Sequence, residues 1–170
     1  VVTDGAKKLG SVNTVVNRDG KLYGYNTDAD GFCMALTKAG IEIENSRILI
    51  IGAGGVVRPT LIRLIDNKPK SITVVNRTKS KVKMLAEDIL KSTGFEVNTE
   101  IDKLEFDIVI NTTSAGMEPQ ENVMPIDNIE EINDLSFINE NTAAVDMIYN
   151  PDKTLFLQEA EKRGAKILNG

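Results

Sequence analysis

The segment RILIIGAGGVVRPTLIRLIDN constrains the fold of this chain more than any other. Its first six residues form a near-continuous apolar run, typical of a strand buried on both faces of a parallel sheet. The residues from Pro59 onward have the pattern of a helix. Between strand and helix, Gly52 permits a tight turn, and Gly54 lets the backbone approach a pyrophosphate. The segment therefore predicts an anion-binding loop at a helix N-terminus.

Two residues depart from the usual dinucleotide-binding pattern. Val57 stands where the pattern has glycine or alanine, and Pro59 removes an amide one turn into the helix. A glycine-rich turn can also be purely structural. The strand before the loop and the helix after it favour nucleotide binding over that alternative.

The rest of the chain alternates between strand and helix patterns. A hairpin with an Asp19-Gly20 turn is predicted in SVNTVVNRDGKLYGYNT, followed by a helix from Asp28 that ends near Gly40. Residues 118–142 are predicted to be a long polar loop with at most one short helix. Further strands are predicted at SITVVN, FEVNT, FDIVINTT, AAVDMIYN and AKIL, and further helices at SKVKMLAEDILKST and TLFLQEAEKRG. This alternation predicts an α/β fold with a doubly wound parallel sheet.

Composition narrows the class of protein. A chain of 170 residues with a net charge of −5 is poorly suited to nucleic acid or a membrane surface, and it has no membrane-spanning apolar run. Cys33 is the single cysteine, which excludes an intramolecular disulfide and favours a reducing, cytoplasmic location. No metal site is predicted. The chain has no histidine, so acid–base chemistry must fall to carboxylates, lysines or a tyrosine.

The end of the second strand of the sheet indicates which dinucleotide is bound. Asn76 lies 24 positions after Gly52, where NAD-binding domains usually have an acidic residue, and Arg77, Thr78, Lys79 and Lys81 follow within five positions. An arginine can bind a 2′-phosphate through two hydrogen bonds, whereas a carboxylate would repel it. A solvated basic helix start is the alternative, but cations there oppose the helix dipole unless an anion is bound. The pattern favours NADP over NAD.

Motifs along almost the whole chain carry a family resemblance. In order they are GSVNTVV, GYNTD, GAGG, NRT, INTTSAGM, DMIYNP and the closing NG. With these motifs the chain resembles the shikimate dehydrogenases, NADP-linked enzymes that reversibly reduce 3-dehydroshikimate to shikimate in chorismate and aromatic amino-acid biosynthesis. The resemblance implies that residues 1–30 are the remnant of an N-terminal substrate-binding domain. Residues 31–170 would then form a Rossmann-like NADP-binding domain.

The resemblance also implies roles for the matching residues. Asp28 would be the aspartate of a catalytic Lys–Asp pair, and Asn13, Asp28 and Tyr149 would contact the substrate. The residues implied to contact the cofactor are Gly52, Ala53, Gly54, Gly55, Asn76, Arg77, Thr78, Lys81, Met147 and Gly170. Structural alternatives are a helix N-cap at Thr27 or Asp28, a rim or core aromatic at Tyr149, and a core residue at Met147.

Several features depart from the family pattern. The family usually reads NTDG, whereas Ala29 and Asp30 precede the glycine here, and its loop usually continues with two small residues where Val56 and Val57 stand. The family's catalytic lysine lies well upstream of the Asn13 motif, and we interpret the nearby pair of lysines in GAKKLG as a solvated helix face.

We therefore expect a fragment of a longer, NADP-dependent shikimate dehydrogenase that is inactive alone. The exposed apolar faces of such a fragment would favour a homodimer. The alternatives are a non-catalytic NADP-binding module and a quinate/shikimate dehydrogenase that uses NAD or NADP.

Overall fold

The computed structural model describes residues 1–170, which form two sheets and five helices. No helix combines the length and apolar character that crossing a membrane requires. The helices are α1 (Asp4–Leu9), α2 (Asp28–Lys38), α3 (Val57–Asp66), α4 (Lys79–Thr93) and α5 (Leu155–Lys162). The strands are β1 (Thr14–Arg18), β2 (Lys21–Tyr25), β3 (Arg47–Ile51), β4 (Ser71–Val75), β5 (Ile108–Asn111), β6 (Ala143–Asp146) and β7 (Lys166–Leu168).

The larger sheet is parallel and has the order β4-β3-β5-β6-β7. The predicted doubly wound sheet is confirmed. The strand predicted in FEVNT is wrong: Asn98 alone pairs with β4, donating to Ile72 O and accepting from Val74 N, both at 2.9 Å. Gly94 ends α4 in a left-handed conformation only four residues earlier, so the chain meets the sheet edge at one residue.

Alternate residues of each strand pack against opposite faces of this sheet. Ile48 and Ile50 of β3 join one core cluster with α2, α3 and α4, while Leu49 and Ile51 join the other with α5. The loop predicted at 118–142 contains no helix, yet it covers much of the second face. Its side chains that join the second core cluster as buried residues are Ile126, Ile129, Ile132, Leu135, Phe137 and Ile138.

The start of α3 accommodates both departures from the dinucleotide-binding pattern. Val57 is its first residue and is fully buried in the first core cluster. Pro59 is its third residue, and the amides of a helix's first turn have no intrahelical acceptor. Pro59 therefore fits this position, because the N–H that it lacks would have no intrahelical hydrogen bond there.

The first 25 residues form a separate small layer. β1 and β2 pair as the predicted antiparallel hairpin, with Asp19 and Gly20 at positive φ as in a type I′ turn. Val1, Val15 and Leu22 are each more than half exposed, so this layer does present apolar side chains to solvent. The division into units at residue 30 falls in the first turn of α2 and stays a prediction.

Arg58 of α3 connects this layer to the helices that pack on the larger sheet. Its Nη1 donates to Leu9 O at 2.7 Å at the end of α1, and its Nε contacts Asp88 Oδ2 of α4 at 2.6 Å. Gly10 leaves room for the guanidinium, because a Cβ there would lie 2.7 Å from Nη1. α3 thus connects the glycine loop to the segment that leads into β1.

At the amino ends of β3 and β5, the side chain of Arg47 joins the two neighbouring strands. Asp107, just before β5, accepts from Arg47 N at 2.7 Å and Arg47 Nε at 3.1 Å through Oδ2, and from Nη2 at 2.9 Å through Oδ1. These hydrogen bonds to Arg47 hold the pKa of Asp107 below its usual value. The ionised form is therefore the one that the fold stabilises.

We predict a pH-dependent effect of Asp107→Asn on stability. Because the pKa of Asp107 is lower in the folded chain than in the unfolded chain, its ionised form stabilises the fold above about pH 4. That stabilisation is lost as the pH falls through the lowered pKa. The difference in unfolding free energy between wild type and variant, measured by urea denaturation, should shrink from about pH 6 to about pH 2.5. A constant difference across this range would contradict the prediction; Asp102→Asn, an exposed carboxylate without a hydrogen bond, is the control.

Candidate functional site

The glycine loop lies where the order of the sheet reverses. It follows β3, and the segment after β5 lies beside it, at the carboxyl ends of two neighbouring parallel strands. Gly52 has φ 120°, and a Cβ there would overlap Thr112 Oγ1, which donates to Ile51 O at 2.8 Å. Only glycine fits this position, both for its φ and for this close approach.

Gly54 and Gly55 leave open space at the start of α3. A Cβ at Gly54 or Gly55 would meet no atom within 4 Å, and both residues are exposed. The amides of residues 53–56, which include the predicted Ala53, donate to no acceptor in the protein. Free amides at a helix N-terminus fit an anionic phosphate group. The loop therefore has the geometry that a pyrophosphate requires.

The basic segment after β4 forms the start of α4. Asn76 Nδ2 donates to Thr78 O at 3.2 Å, which shapes the turn before the helix. Thr78 is the N-cap residue, but its hydroxyl makes no capping hydrogen bond. Arg77 and Lys81 are exposed and form no ion pair, so both cations are free to bind an anion. Lys79 differs from them, because its ammonium group pairs with Glu130 and Glu131.

A cavity of about 650 Å³ brings distant parts of the sequence together. It lies between the start of β1, the start of α2, the glycine loop and the ends of β6 and β7. Six of the predicted site residues line it: Asn13, Asp28, Gly55, Met147, Tyr149 and Gly170. Asn76 and Arg77 line a separate cleft of about 340 Å³, and Thr78 and Lys81 line neither.

The side chain of Asn13 joins two of the cavity's walls. Its Oδ1 accepts from Thr27 N at 3.0 Å and from Thr14 Oγ1 at 3.0 Å, while its Nδ2 has no acceptor in the protein. A second hydrogen bond joins the same two segments: Asn26 Nδ2 donates to Ser11 Oγ at 2.6 Å. Sequence reasoning missed Asn26 and Ser11. The signal that could have found them is that GSVNT and GYNTD each contain polar residues beside the predicted site residue. The free amide of Asn13 can donate to a ligand in the cavity.

Asp28 is the first residue of α2, and its carboxylate accepts no hydrogen bond from the protein. Thr27 is the N-cap residue, but neither its side chain nor that of Asp28 accepts a capping hydrogen bond. Asn26 Oδ1 accepts from Ala29 N at 3.4 Å instead. Asp28 is exposed and forms no ion pair. Thr27 thus occupies the N-cap position, one of the two that the sequence offered, but makes no capping hydrogen bond, and Asp28 lines the cavity.

A buried polar network positions the opposite wall. Asp146, at the end of β6, accepts from Asn111 Nδ2 at 3.1 Å, Ile148 N at 3.0 Å and Thr154 Oγ1 at 2.7 Å. Burial raises the pKa of Asp146, and these hydrogen bonds oppose that rise. Sequence reasoning assigned no role to Asp146 or Asn111. Their signal was a polar residue at the end of each of two apolar strands, IVIN and AAVD.

The network sets the backbone that presents Met147 and Tyr149. Met147 N donates to Asn111 O at 3.0 Å, and Tyr149 is 76% exposed at the rim of the cavity, as one alternative from the sequence anticipated. Gly170 N donates to Ile148 O at 3.1 Å, and a Cβ at Gly170 would lie 2.8 Å from the carbonyl carbon of Met147. The final glycine therefore packs against this segment where no side chain fits.

Known proteins are similar to this chain in sequence and in fold. The family model of shikimate/quinate 5-dehydrogenases matches residues 34–151. The chain is 42% identical to the NADP(+) shikimate dehydrogenase of Geobacillus sp. (strain WCH70), over 97% of this chain and 59% of that protein. The chain belongs to the shikimate/quinate 5-dehydrogenase family. It spans about 60% of the length of the curated family members that it matches.

Solved structures of this shikimate/quinate 5-dehydrogenase family superpose well on the chain. A shikimate dehydrogenase in complex with NADP+ has a TM-score of 0.86 and 34% identity, covering 99% of this chain and 58% of its own. The shikimate 5-dehydrogenase from Listeria monocytogenes, in complex with shikimate and NAD, has a TM-score of 0.83 and 29% identity, covering 99% and 61%. The fold is that of the family, with its Rossmann-like sheet.

We predict that Asp146→Ala strongly destabilises the chain. The substitution leaves one of the two Asn111 amide hydrogens, the Ile148 N–H and the Thr154 hydroxyl without their carboxylate acceptor, and each such group costs about 1–3 kcal/mol. The unfolding free energy from urea titration should fall by at least about 3 kcal/mol. Asp152→Ala, an exposed neighbour, is the control and should change it by less than about 0.5 kcal/mol. Equal effects of the two substitutions would show that the network does not stabilise the fold.

Proposed function

We propose that this chain carries the NADP site and part of the substrate site of an NADP-dependent shikimate dehydrogenase, which interconverts 3-dehydroshikimate and shikimate. The observation that supports it best is the cavity in which Asn13 and Asp28 lie across from the glycine loop. Hydride transfer requires the reacting carbon of the substrate close to the nicotinamide. One cavity lined by both groups of residues meets that requirement.

The cofactor assignment rests on the two ends of the first βαβ unit. The amides of residues 53–56 would bind the pyrophosphate, and Asn76, Arg77, Thr78 and Lys81 would surround the adenosine 2′-phosphate. Met147 and Gly170, which both line the cavity, would lie beside the nicotinamide. Bound NADP supplies or accepts the hydride.

The substrate assignment uses the free polar groups of the cavity. Asn13 Nδ2 would donate to a substrate hydroxyl, since its Oδ1 is already occupied by Thr27. Tyr149, exposed at the rim, would contact the substrate from the other wall. Asp28 would act in the Lys–Asp pair of the family, where its carboxylate holds the reacting hydroxyl in position for proton removal. The residues of this chain in these roles supply carboxylate, amide and phenol groups, which fits a chain without histidine.

The two alternatives have less support. A non-catalytic NADP-binding module would not need Asn13 and Asp28 beside the glycine loop. A quinate/shikimate dehydrogenase using NAD would gain nothing from an unpaired Arg77. A homodimer and a cytoplasmic location stay predictions.

We expect Asp28→Asn to abolish most shikimate:NADP oxidoreductase activity. The assay is NADPH formation from shikimate by the polypeptide as its gene encodes it. Loss of acid–base assistance should lower kcat by about 10²–10⁴-fold. The control is Asp30→Asn, two positions on, whose carboxylate pairs with Arg63 and does not line the cavity. Undiminished turnover in Asp28→Asn would remove Asp28 from the mechanism, and absence of turnover in the unmodified protein would refute the proposed activity.

We expect Arg77→Ala to remove the preference for NADP. Loss of one charge-assisted contact costs about 1.5–3 kcal/mol, so the Kd for NADP should rise by about 10- to 150-fold. The Kd for NAD, which lacks the 2′-phosphate, should change by less than about twofold. Calorimetric titration of both cofactors checks this, with Arg18→Ala in the hairpin as the control. If the alanine variant keeps the wild-type preference, the assignment of Arg77 is wrong.

A further inference from the structure

We propose that an acidic pair, Glu130 and Glu131, and its counter-ion Lys79 set how strongly this chain discriminates NADP from NAD. The inference rests on the proposed binding of NADP at Arg77. Lys79 is the first residue of α4, and its Nζ lies 3.0 Å from Glu130 Oε2 and 2.9 Å from Glu131 Oε1. The sequence places Lys79 in the basic run after β4, where it would serve the phosphate. The structure instead directs its ammonium group toward two carboxylates.

These groups share one cleft with Asn76 and Arg77, two of the four residues proposed to surround the 2′-phosphate. The cleft of about 340 Å³ has Asn76, Arg77 and Lys79 on one side and residues 127–131 on the other. Its charged lining consists of three carboxylates, from Asp127, Glu130 and Glu131, and two cations, from Arg77 and Lys79. A phosphate that carries nearly two negative charges therefore enters a cleft in which carboxylates outnumber cations. The balance at this site depends on Lys79.

The ion pair favours the charged forms of Lys79 and Glu131. Hydrogen bonds from Lys79 hold the pKa of Glu131 below its usual value, and the two carboxylates raise the pKa of Lys79. Removing Lys79 would expose two uncompensated negative charges beside the phosphate. Removing the two carboxylates would do the opposite, because it ends their repulsion and frees Lys79 for the phosphate. The two changes should therefore shift the NADP preference in opposite directions.

The competing interpretation is an ordinary surface ion pair with no effect on the ligand. Exposed pairs contribute little to stability, and Glu130 is 82% exposed at its side chain. That interpretation predicts that neutralising these residues changes the affinities for NADP and NAD equally. The ratio of the two dissociation constants thus separates the interpretations, because the two ligands differ only in the 2′-phosphate.

The test is calorimetric titration of the 170-residue chain with NADP+ and with NAD+ at low ionic strength. In Lys79→Met, the preference for NADP+ should fall by about 3- to 10-fold relative to wild type. In the double variant Glu130→Gln/Glu131→Gln, the preference should rise by a similar factor. Combining all three substitutions should restore at least the wild-type preference, and Lys79→Arg, which keeps the pair, should leave it unchanged. Raising the salt concentration should shrink both shifts, since screening weakens them.

Matched controls lie on the same helix. Lys83→Met and Glu87→Gln make the same kinds of charge change at exposed positions of α4 that do not line the cleft, and should shift the preference by less than twofold. If Lys79→Met behaves like Lys83→Met, the inference is overturned. If wild type binds NADP+ no more tightly than NAD+, the proposed cofactor itself is wrong. A wild type that prefers NADP+ through Arg77, together with unshifted Lys79 and glutamate variants, refutes this inference alone.

Discussion

The parallel pairing of β3 with β5 is the constraint on which the candidate site depends. It places the glycine loop beside the segment after β5, at the point where successive strands turn to opposite sides of the sheet. Gly52 marks how close this approach is, since a Cβ there would overlap Thr112. The loop that follows is then left open, with amides pointing to solvent instead of to protein acceptors. A candidate anion site thus arises from the topology, and no charged side chain is needed to form it.

Two sets of hydrogen bonds turn this anion site into one wall of a larger cavity. The buried carboxylate of Asp146 holds the ends of β5 and β6 and the start of α5, so that Met147 and Tyr149 lie at the cavity. On the other side, Asn13 holds the start of α2 through Thr27. Both sets use groups that are saturated by protein contacts, which leaves the Asn13 amide and the Asp28 carboxylate available. The atoms that position the walls, the Asp146 carboxylate and Asn13 Oδ1, therefore differ from those proposed to contact the substrate, Asn13 Nδ2 and the Asp28 carboxylate.

Much of this arrangement could be predicted from the sequence, because the strands are near-continuous apolar runs and the motifs fall at their ends. The doubly wound sheet, the hairpin turn at Asp19 and the glycine loop all follow from local patterns. Other features depend on tertiary contacts that no local pattern encodes. FEVNT has strand-forming residues but meets the sheet at Asn98 alone, and residues 118–142 read as polar while their isoleucines cover a face of the sheet. The ion pairs of Lys79 with Glu130 and Glu131, some fifty residues later in the chain, likewise depend on a tertiary contact.

The central claim is that one cofactor spans the glycine loop, the start of α4 and the part of the cavity lined by Met147 and Gly170. Amide chemical shifts of the ¹⁵N-labelled chain during titration with NADP+ test it most directly. The account predicts that the largest changes fall on residues 53–58 and 76–81 and on Met147 and Gly170, with a common dissociation constant. Changes that are absent at saturating NADP+, or that cluster at the cleft between Thr37, Glu42 and Lys68 instead, would contradict it.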